Sequence, residues 1–422
     1  MVMARRKKLK LPKFLNLPTS TLSLGAFLLV NYWCQANALI PSVQPTKLPV
    51  KHNWQWWRSN EYTAQTKNPD VVLMGSSLIM IPITLVEADH SNKQIDSVKH
   101  YRSTCLEDGL ASTSSQPHKT SVTVFNFALP GSMVSDQYMV ASSLFKDKQK
   151  PKLLVLGLTL RDFVDSGVEC AASTPTYQFF KHYFEGQAQD DLSLVALQTS
   201  KIWQGVTEKA QDWMDRNLYL SGKRLAAQYL NNAFWQEKIS GVTGGNKKLD
   251  DNLVVAPSKD MMDSLFGDAV EPGQFLFTPY ATAPYQDNTR EYKRRFKDYD
   301  PAKLAIQEEF LSKLMAHCKD QNIEVMIVNM PLTPQNMALM PDGSYQHYLA
   351  STSNLAKSNG CRFVDLNNGN FGIENFKDTA HMNSAGGKKL VESIVGSIKN
   401  DRALAQMIVP NSKLAGSNTS VK

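Results

Sequence analysis

The chain has no Cys-x-x-Cys or Cys-x-x-His spacing, which removes the common frameworks of a structural zinc site. His52, His90, His100, His118, His182, His317 and His347 have no neighbour at metal-ligand spacing either, so no metal is expected, and nothing in the chain calls for a cofactor. No internal repeat is present, which excludes solenoids and propellers. Charge of one sign is also missing from the body. The net charge of +7 comes almost entirely from Arg5, Arg6, Lys7, Lys8, Lys10 and Lys13; without these, 40 basic residues face 39 acidic ones. A nucleic-acid partner therefore loses its electrostatic footprint. With 42% hydrophobic residues and mixed charge, the 422 residues read as globular, one domain carrying a large insertion.

The basic residues 1–16 form a tail ahead of residues 17–40, which hold no charged side chain. The apolar centre of that stretch, residues 22–30, continues into Tyr32 and Trp33. Basic flank first and apolar run next is the pattern of an N-terminal anchor, with the tail in the cytoplasm and the bulk exported. About 20 apolar residues suffice to cross the hydrocarbon core. The rival readings are a signal peptide cut near Ala36-Asn37-Ala38, with the remainder secreted, and an ordinary buried helix. A polar, Pro-containing linker and a first short helix occupy 41–69, where Trp54, Trp56 and Trp57 either pack onto the body or line a membrane interface.

Five cysteines occur, and Cys34 lies in the apolar stretch. The other four, Cys105, Cys170, Cys318 and Cys361, are either paired in an oxidising compartment or buried as thiols. Cys318 precedes the fourth apolar run of the body and Cys361 the fifth, which places both at one sheet edge and close enough to bridge.

Those runs are residues 71–74, 122–127, 153–158, 325–328 and 362–366, and helical patterns at 135–145, 301–319, 345–357 and 384–398 fall between and after them. Strands alternating with helices predict a parallel sheet covered on both faces. The core is thus 70–162 together with 300–400. Residues 90–120 read as a polar loop, 163–299 as an inserted helical cap with periodicity over 192–235, and 401–422 as a flexible tail.

Ligands of such sheets bind beyond the carboxyl ends of the strands. Ser77 follows the first run, Gly131 the second, Thr159 and Arg161 the third, and Asp378-Thr379-Ala380-His381 the fifth. An Asp three residues before a His can hold Nδ1–H on one short turn and leave Nε2 free to take a serine proton. Ser77 as nucleophile, His381 as base and Asp378 as orienter therefore map to one edge. Other readings remain open: Gly75-Ser76-Ser77 as a plain turn, Asp378 with His381 as a surface pair, Arg161 with Asp162 as an ion pair fixing a loop, and Lys293-Arg294-Arg295 as a solvated helix face or a contact for an anionic polymer.

The blocks around Ser77, Gly131 and Asp378-x-x-His381, with Gly386 beyond, resemble those of the SGNH/GDSL hydrolase superfamily. Arg161-Asp162-Phe163, the segment from Asn329 to Pro334, and His381-Met382-Asn383 are similar to a membrane-anchored cyanobacterial family of uncharacterised function, related to the D-alanyl transfer protein of teichoic acid synthesis. The resemblance implies a three-layer α/β/α, flavodoxin-like fold and ester or acyl-transfer chemistry, with the N–H groups of Ser77 and Gly131 in an oxyanion hole. Two departures stand out. Gly75-Ser76-Ser77 replaces Gly-Asp-Ser, and residues 157–162 lack the Asn that normally donates to the oxyanion, leaving Thr159 or Arg161 for that wall. Loss of one good donor costs roughly 10²–10³ in rate.

The expected activity is that of an anchored periplasmic serine esterase or O-acyltransferase. Its partner is a cell-envelope polysaccharide or an acyl donor, with a membrane acyltransferase as a possible companion. The alternative is a catalytically weak or inactive binding protein of envelope polysaccharide assembly.

Overall fold

Five apolar runs become five parallel strands; the first four are buried on both faces, the condition under which strands read as continuous rather than alternating hydrophobic sequence, and the fifth, Arg362–Asp365, is half-buried at the sheet edge. The computed structural model describes residues 19–36, 52–111, 122–146, 149–168, 170–183, 267–282 and 284–409. In chain order the elements are α1 (Thr19–Ala36), α2 (Trp54–Thr63), β1 (Val71–Gly75), α3 (Ser77–Ser91), β2 (Ile95–Asp96), α4 (Thr104–Ala111), β3 (Val124–Asn126), α5 (Val134–Leu144), β4 (Leu153–Leu158) and α6 (Pro175–Tyr183). After these come β5 (Leu276–Phe277), α7 (Thr289–Arg295), α8 (Pro301–Asp320), β6 (Glu324–Asn329), α9 (Pro334–Met337), α10 (Ser344–Ser358), β7 (Arg362–Asp365), α11 (Ser384–Asn400) and α12 (Arg402–Ile408).

The chain divides into two units, Met1–Pro49 with Leu192–Met261, and Val50–Asp191 with Met262–Lys422. Within the second, the sheet runs β3-β1-β4-β6-β7 and all its pairings are parallel. Strand order reverses at β1, so the crevice between the ends of β1 and β4 is the topological switch point where open α/β sheets take ligands. Side chains alternate between faces. Val71, Leu73, Val124, Val155, Met326 and Val328 pack with Ile79 and Ile83 of α3, Leu106 and Leu110 of α4, Leu390 and Ile394 of α11, and Leu404 of α12. On the other side Tyr62 of α2 meets Phe125 edge-on at 5.2 Å and Phe163 meets Tyr348 of α10 at 5.1 Å, while α5 lies against α8. The protein is therefore a mixed α/β protein with helices on both faces of a parallel sheet.

Several boundaries differ from the sequence expectations. Within 90–120, expected as a loop, lie β2 and α4; burying Leu106 and Leu110 at 1% exposure each contributes roughly 1.5–3 kcal/mol per side chain and fixes that helix. The tail expected from 401 begins with α12, because the Asp401 carboxylate accepts the amides of Ala403 and Leu404 and buries the Leu404 and Ile408 that follow. The described flanks of the expected cap belong to the unit of the sheet. They contain α6 and α7 but also an irregular strap, 267–288, whose β5 pairs antiparallel with β2. The periodic segment 192–235 lies outside the described residues, as do the tail 1–16 and most of the linker.

Cys105, Cys170, Cys318 and Cys361 are free thiols, so Cys318 and Cys361, expected to lie within bridging reach, are not joined. Cys318 is fully buried, and Cys361 points its Sγ toward the Asn359 carbonyl at 3.8 Å. Burial pushes the Cys361 thiol up to about 11, which disfavours the thiolate that forms a disulfide. Of the expected anchor, α1 covers 18 residues, and no helix among the described residues is long and apolar enough to cross a membrane.

Candidate active site

Ser77 is the first residue of α3, and glycine chemistry puts it there. Gly75 ends β1 with φ +146°, a conformation that L side chains rarely adopt, in register with Gly157 of β4. A Cβ on Gly75 would lie 2.5 Å from the Gly157 carbonyl oxygen and 2.8 Å from Ile79 Cγ2, so only glycine lets α3 start directly on the strand end. Ser76 then sits extended at the N-cap, and its carbonyl accepts the amides of Ile79 and Met80 at 3.2 Å each. The N–H groups of the first turn have no partner within the helix and carry the positive end of its dipole, at the position of Ser77.

His381 arrives from the opposite end of the chain on a short turn between β7 and α11. Asp378 organises that turn: its Oδ1 accepts the amides of Ala380 at 2.9 Å and His381 at 2.7 Å. Both its oxygens also face His381 Nδ1, at 3.1 and 2.9 Å. An ionised carboxylate only accepts, so the imidazole proton resides on Nδ1 and Nε2 is the acceptor. Ser77 Oγ lies 2.9 Å from that Nε2. Burial works against the Asp378 charge, but the His381 ring and the two amides outweigh it and hold the carboxyl below its ordinary range.

The loop carrying Gly131 begins beside the elbow, where the Leu129 amide donates to the Gly75 carbonyl at 3.0 Å. Gly131 is exposed, with φ +73°. Its carbonyl accepts from Arg161 Nη2 at 3.0 Å, and the Ser132 carbonyl accepts from Nη1 at 3.1 Å. Arg161 is 6% exposed and also pairs with Asp162 at 3.3 Å and Asp165 at 3.1 Å. Thr159 is wholly buried, with its amide at 2.9 Å and its hydroxyl at 3.3 Å from Asp162 Oδ2. The structure therefore brings Ser77, His381 and Asp378 together, whereas Thr159 and Arg161 spend their donors on carboxylates and carbonyls of their own loop.

Sequence reasoning missed the groups that hold the turn carrying Asp378 and His381. The strap residue Gln286 bridges to Asp378 and donates its amide to the Lys377 carbonyl at 2.8 Å. Asn288 Oδ1 accepts the Thr379 amide at 3.1 Å and the Thr379 hydroxyl as well. From the other side, the Thr333 hydroxyl donates to the Thr379 carbonyl at 2.6 Å while capping α9. Asn288 lay inside the span read as a cap, and no local pattern marks it. Thr333 lies in the 329–334 block, which was singled out, but without a role. Among the described residues, no three His, Cys, Asp or Glu side chains cluster as a metal site would.

A model of an uncharacterised protein family matches residues 287–402. That span starts just before α7 and runs through α11, taking in Asn288, Asp378 and His381 but not Ser77. No curated protein matches the chain.

Proposed function

We propose that the protein is an SGNH-type serine esterase or O-acyltransferase that works by an acyl-enzyme on a cell-envelope glycan or a carrier acyl group. The observation that carries this reading is the continuous line from Ser77 Oγ through His381 to Asp378 at 2.9 Å per step. In the first half-reaction Ser77 Oγ attacks the acyl carbonyl carbon as its proton passes to Nε2, and Asp378 stabilises the resulting imidazolium. The oxyanion faces the amides at the start of α3, with the Gly131 turn beside it. Collapse breaks the bond to the leaving alcohol or thiol, which takes the proton from Nε2. In the second half, water or a sugar hydroxyl gives its proton to Nε2 and attacks the acyl-serine, and collapse expels Ser77 Oγ, which takes that proton back from Nε2 as acid or a new ester is released.

The strand order β3-β1-β4-β6-β7, with helices on both faces, supports the SGNH, flavodoxin-like assignment. The basic flank 1–16 ahead of the uncharged stretch 17–40 supports an N-terminal membrane anchor with the bulk of the chain in the periplasm. A membrane acyltransferase in the same bilayer would then supply the acyl group. The alternative, a binding protein of envelope polysaccharide assembly with weak or no turnover, is favoured by one specific observation: Thr159 and Arg161, the two side chains expected on the oxyanion wall, are engaged by Asp162 and Asp165. Hydrolysis of a short-chain aryl ester decides between them. Turnover by the full chain, lost in Ser77→Ala, supports the enzyme; equal rates for both proteins support the binding reading.

A further inference from the structure

Helix α7 has two unlike faces. Tyr292, and Phe296 just beyond the helix end, are 5% and 3% exposed and pack into the body. Arg290, Lys293 and Arg294 are exposed at spacings of i, i+3 and i+4, so they line one side of the helix, and Lys297 is exposed in the turn just beyond its end. Like charges at such spacings repel along a helix. Among the described residues none of these four cations has an ion-pair partner. The one acid within the helix, Glu291, is taken by Arg295, whose guanidinium lies 2.6 Å from it. Arg295 also reaches Asp165 at 2.5 Å, the carboxylate that Arg161 holds. Asp287 and Asp298 are exposed at the two ends of the stripe, three residues before Arg290 and four after Arg294, and Asp287 accepts the Thr289 amide.

The position of this stripe gives it meaning. Its amino end is joined to the catalytic turn through Asn288 and Thr379. Its carboxyl end is joined through Arg295, Asp165 and Arg161 to the Gly131 loop. Tyr292, between them, is buried in the body. The helix thus bridges the two segments that flank Ser77 and turns its unpaired cations outward.

We propose that the exposed cationic side of α7 is a docking surface for a polyanionic glycan, which it holds alongside Ser77. Its placement next to an ester-forming serine rests on the functional reading above; the binding itself rests only on charge and exposure. Carboxylate, sulfate and phosphate substituents share the relevant chemistry. A membrane surface fits poorly, because a helix that lies on lipid needs an exposed apolar side and here that side is buried in the body. Duplex nucleic acid fits poorly too, since the rest of the body carries almost no net charge to support a long anionic track.

The test is binding of the full chain, held in neutral detergent, to polygalacturonate, with neutral dextran of matched length as the control. Binding to polygalacturonate alone is expected, weakening at least ~10-fold between roughly 0.1 and 1 M salt as the screening length falls from about 10 to about 3 Å. Lys293→Glu with Arg294→Glu should weaken it at least ~10-fold, and Lys293→Gln with Arg294→Gln by a smaller factor. Labelling of Ser77 by a fluorophosphonate should be unchanged in both variants, which reports an intact fold and site. Absent binding, binding indifferent to the four substitutions, or equal affinity for anionic vesicles or duplex DNA would overturn the proposal. A wild-type chain that binds polygalacturonate but never labels at Ser77 would retire the ester reading and leave the docking surface standing.

Discussion

Asn288 accepts both the amide and the hydroxyl hydrogen of Thr379, which lies between Asp378 and His381 in the turn that pairs them. A strap residue far from Ser77 in sequence therefore fixes the peptide on which the acid–base pair is built. Asn288→Ala leaves the fully buried Thr379 donors unmet, a loss of about 1–3 kcal/mol. Steady-state kinetics should show kcat down about tenfold with KM little changed, as expected when positioning rather than binding is lost. Asn288→Asp, which keeps an acceptor in place, should retain most of the rate.

Asp378 gives a signed pH dependence. Its carboxyl is held below the usual carboxylate range in the folded protein, so its ionisation stabilises the fold above the unfolded-state value and that contribution is lost as pH falls through the lowered one. Denaturant titrations of wild type and Asp378→Asn should give a stability difference that shrinks as the solution is acidified below about pH 4 and is flat above about pH 5. An unchanging difference across the acid range would show that Asp378 is not selectively stabilised as the carboxylate. The same substitution leaves the imidazole in the wrong tautomer and should lower kcat by roughly 10⁴.

Contact between α3 and α11 brings the two halves of the site together. A Cβ on Gly387 would stand 2.6 Å from the Pro82 carbonyl oxygen and 2.8 Å from Val86 Cγ2. Gly387→Ala should push the start of α11 away from α3, with an overpacking penalty of about 1–3 kcal/mol and a fall in esterase rate beyond what unfolding explains. Gly396, in the same helix, has nothing within 4 Å of its would-be Cβ. Gly396→Ala should raise stability by about 0.5–1 kcal/mol and leave the rate alone, as thermal melts and kinetics would show.

Arg161 supports a loop rather than an oxyanion. Arg161→Ala leaves the buried Asp162 carboxylate without its cation, leaves Asp165 to Arg295 alone, and frees the Gly131 and Ser132 carbonyls, so a loss of about 3–5 kcal/mol is expected by chemical denaturation. If stability is unchanged and only kcat falls, Arg161 acts on substrate instead.

Which features were readable from sequence follows from how local their causes are. Residues 153–158 stand out because a strand buried on both faces must be apolar throughout, and the Asp378–His381 pairing is readable because it closes within one turn. Ser77 and His381 are 304 positions apart, and only the rule that strand ends converge on one edge links them. Helix α3 escaped notice because Ile79, Ile81 and Ile83 with Pro82 resemble a strand or a break. Pro82 forgoes the bond to the Leu78 carbonyl, and tertiary burial of Leu78, Ile79, Met80 and Ile83 overrides that local preference. Asn288 was invisible because the two hydrogen bonds its side chain accepts come from a residue 91 positions away.

The central claim is that Ser77 is a nucleophile activated by His381, and covalent capture tests it most directly. The full-length protein would be treated with a fluorophosphonate and its peptides examined by mass spectrometry. The account predicts a phosphonyl adduct on Ser77, abolished in Ser77→Ala and strongly slowed in His381→Ala, with the esterase activity of the double variant little below that of either single one, because such residues act as a unit. No adduct on Ser77 under conditions that fully label a known serine esterase, or labelling that is indifferent to His381, would contradict it.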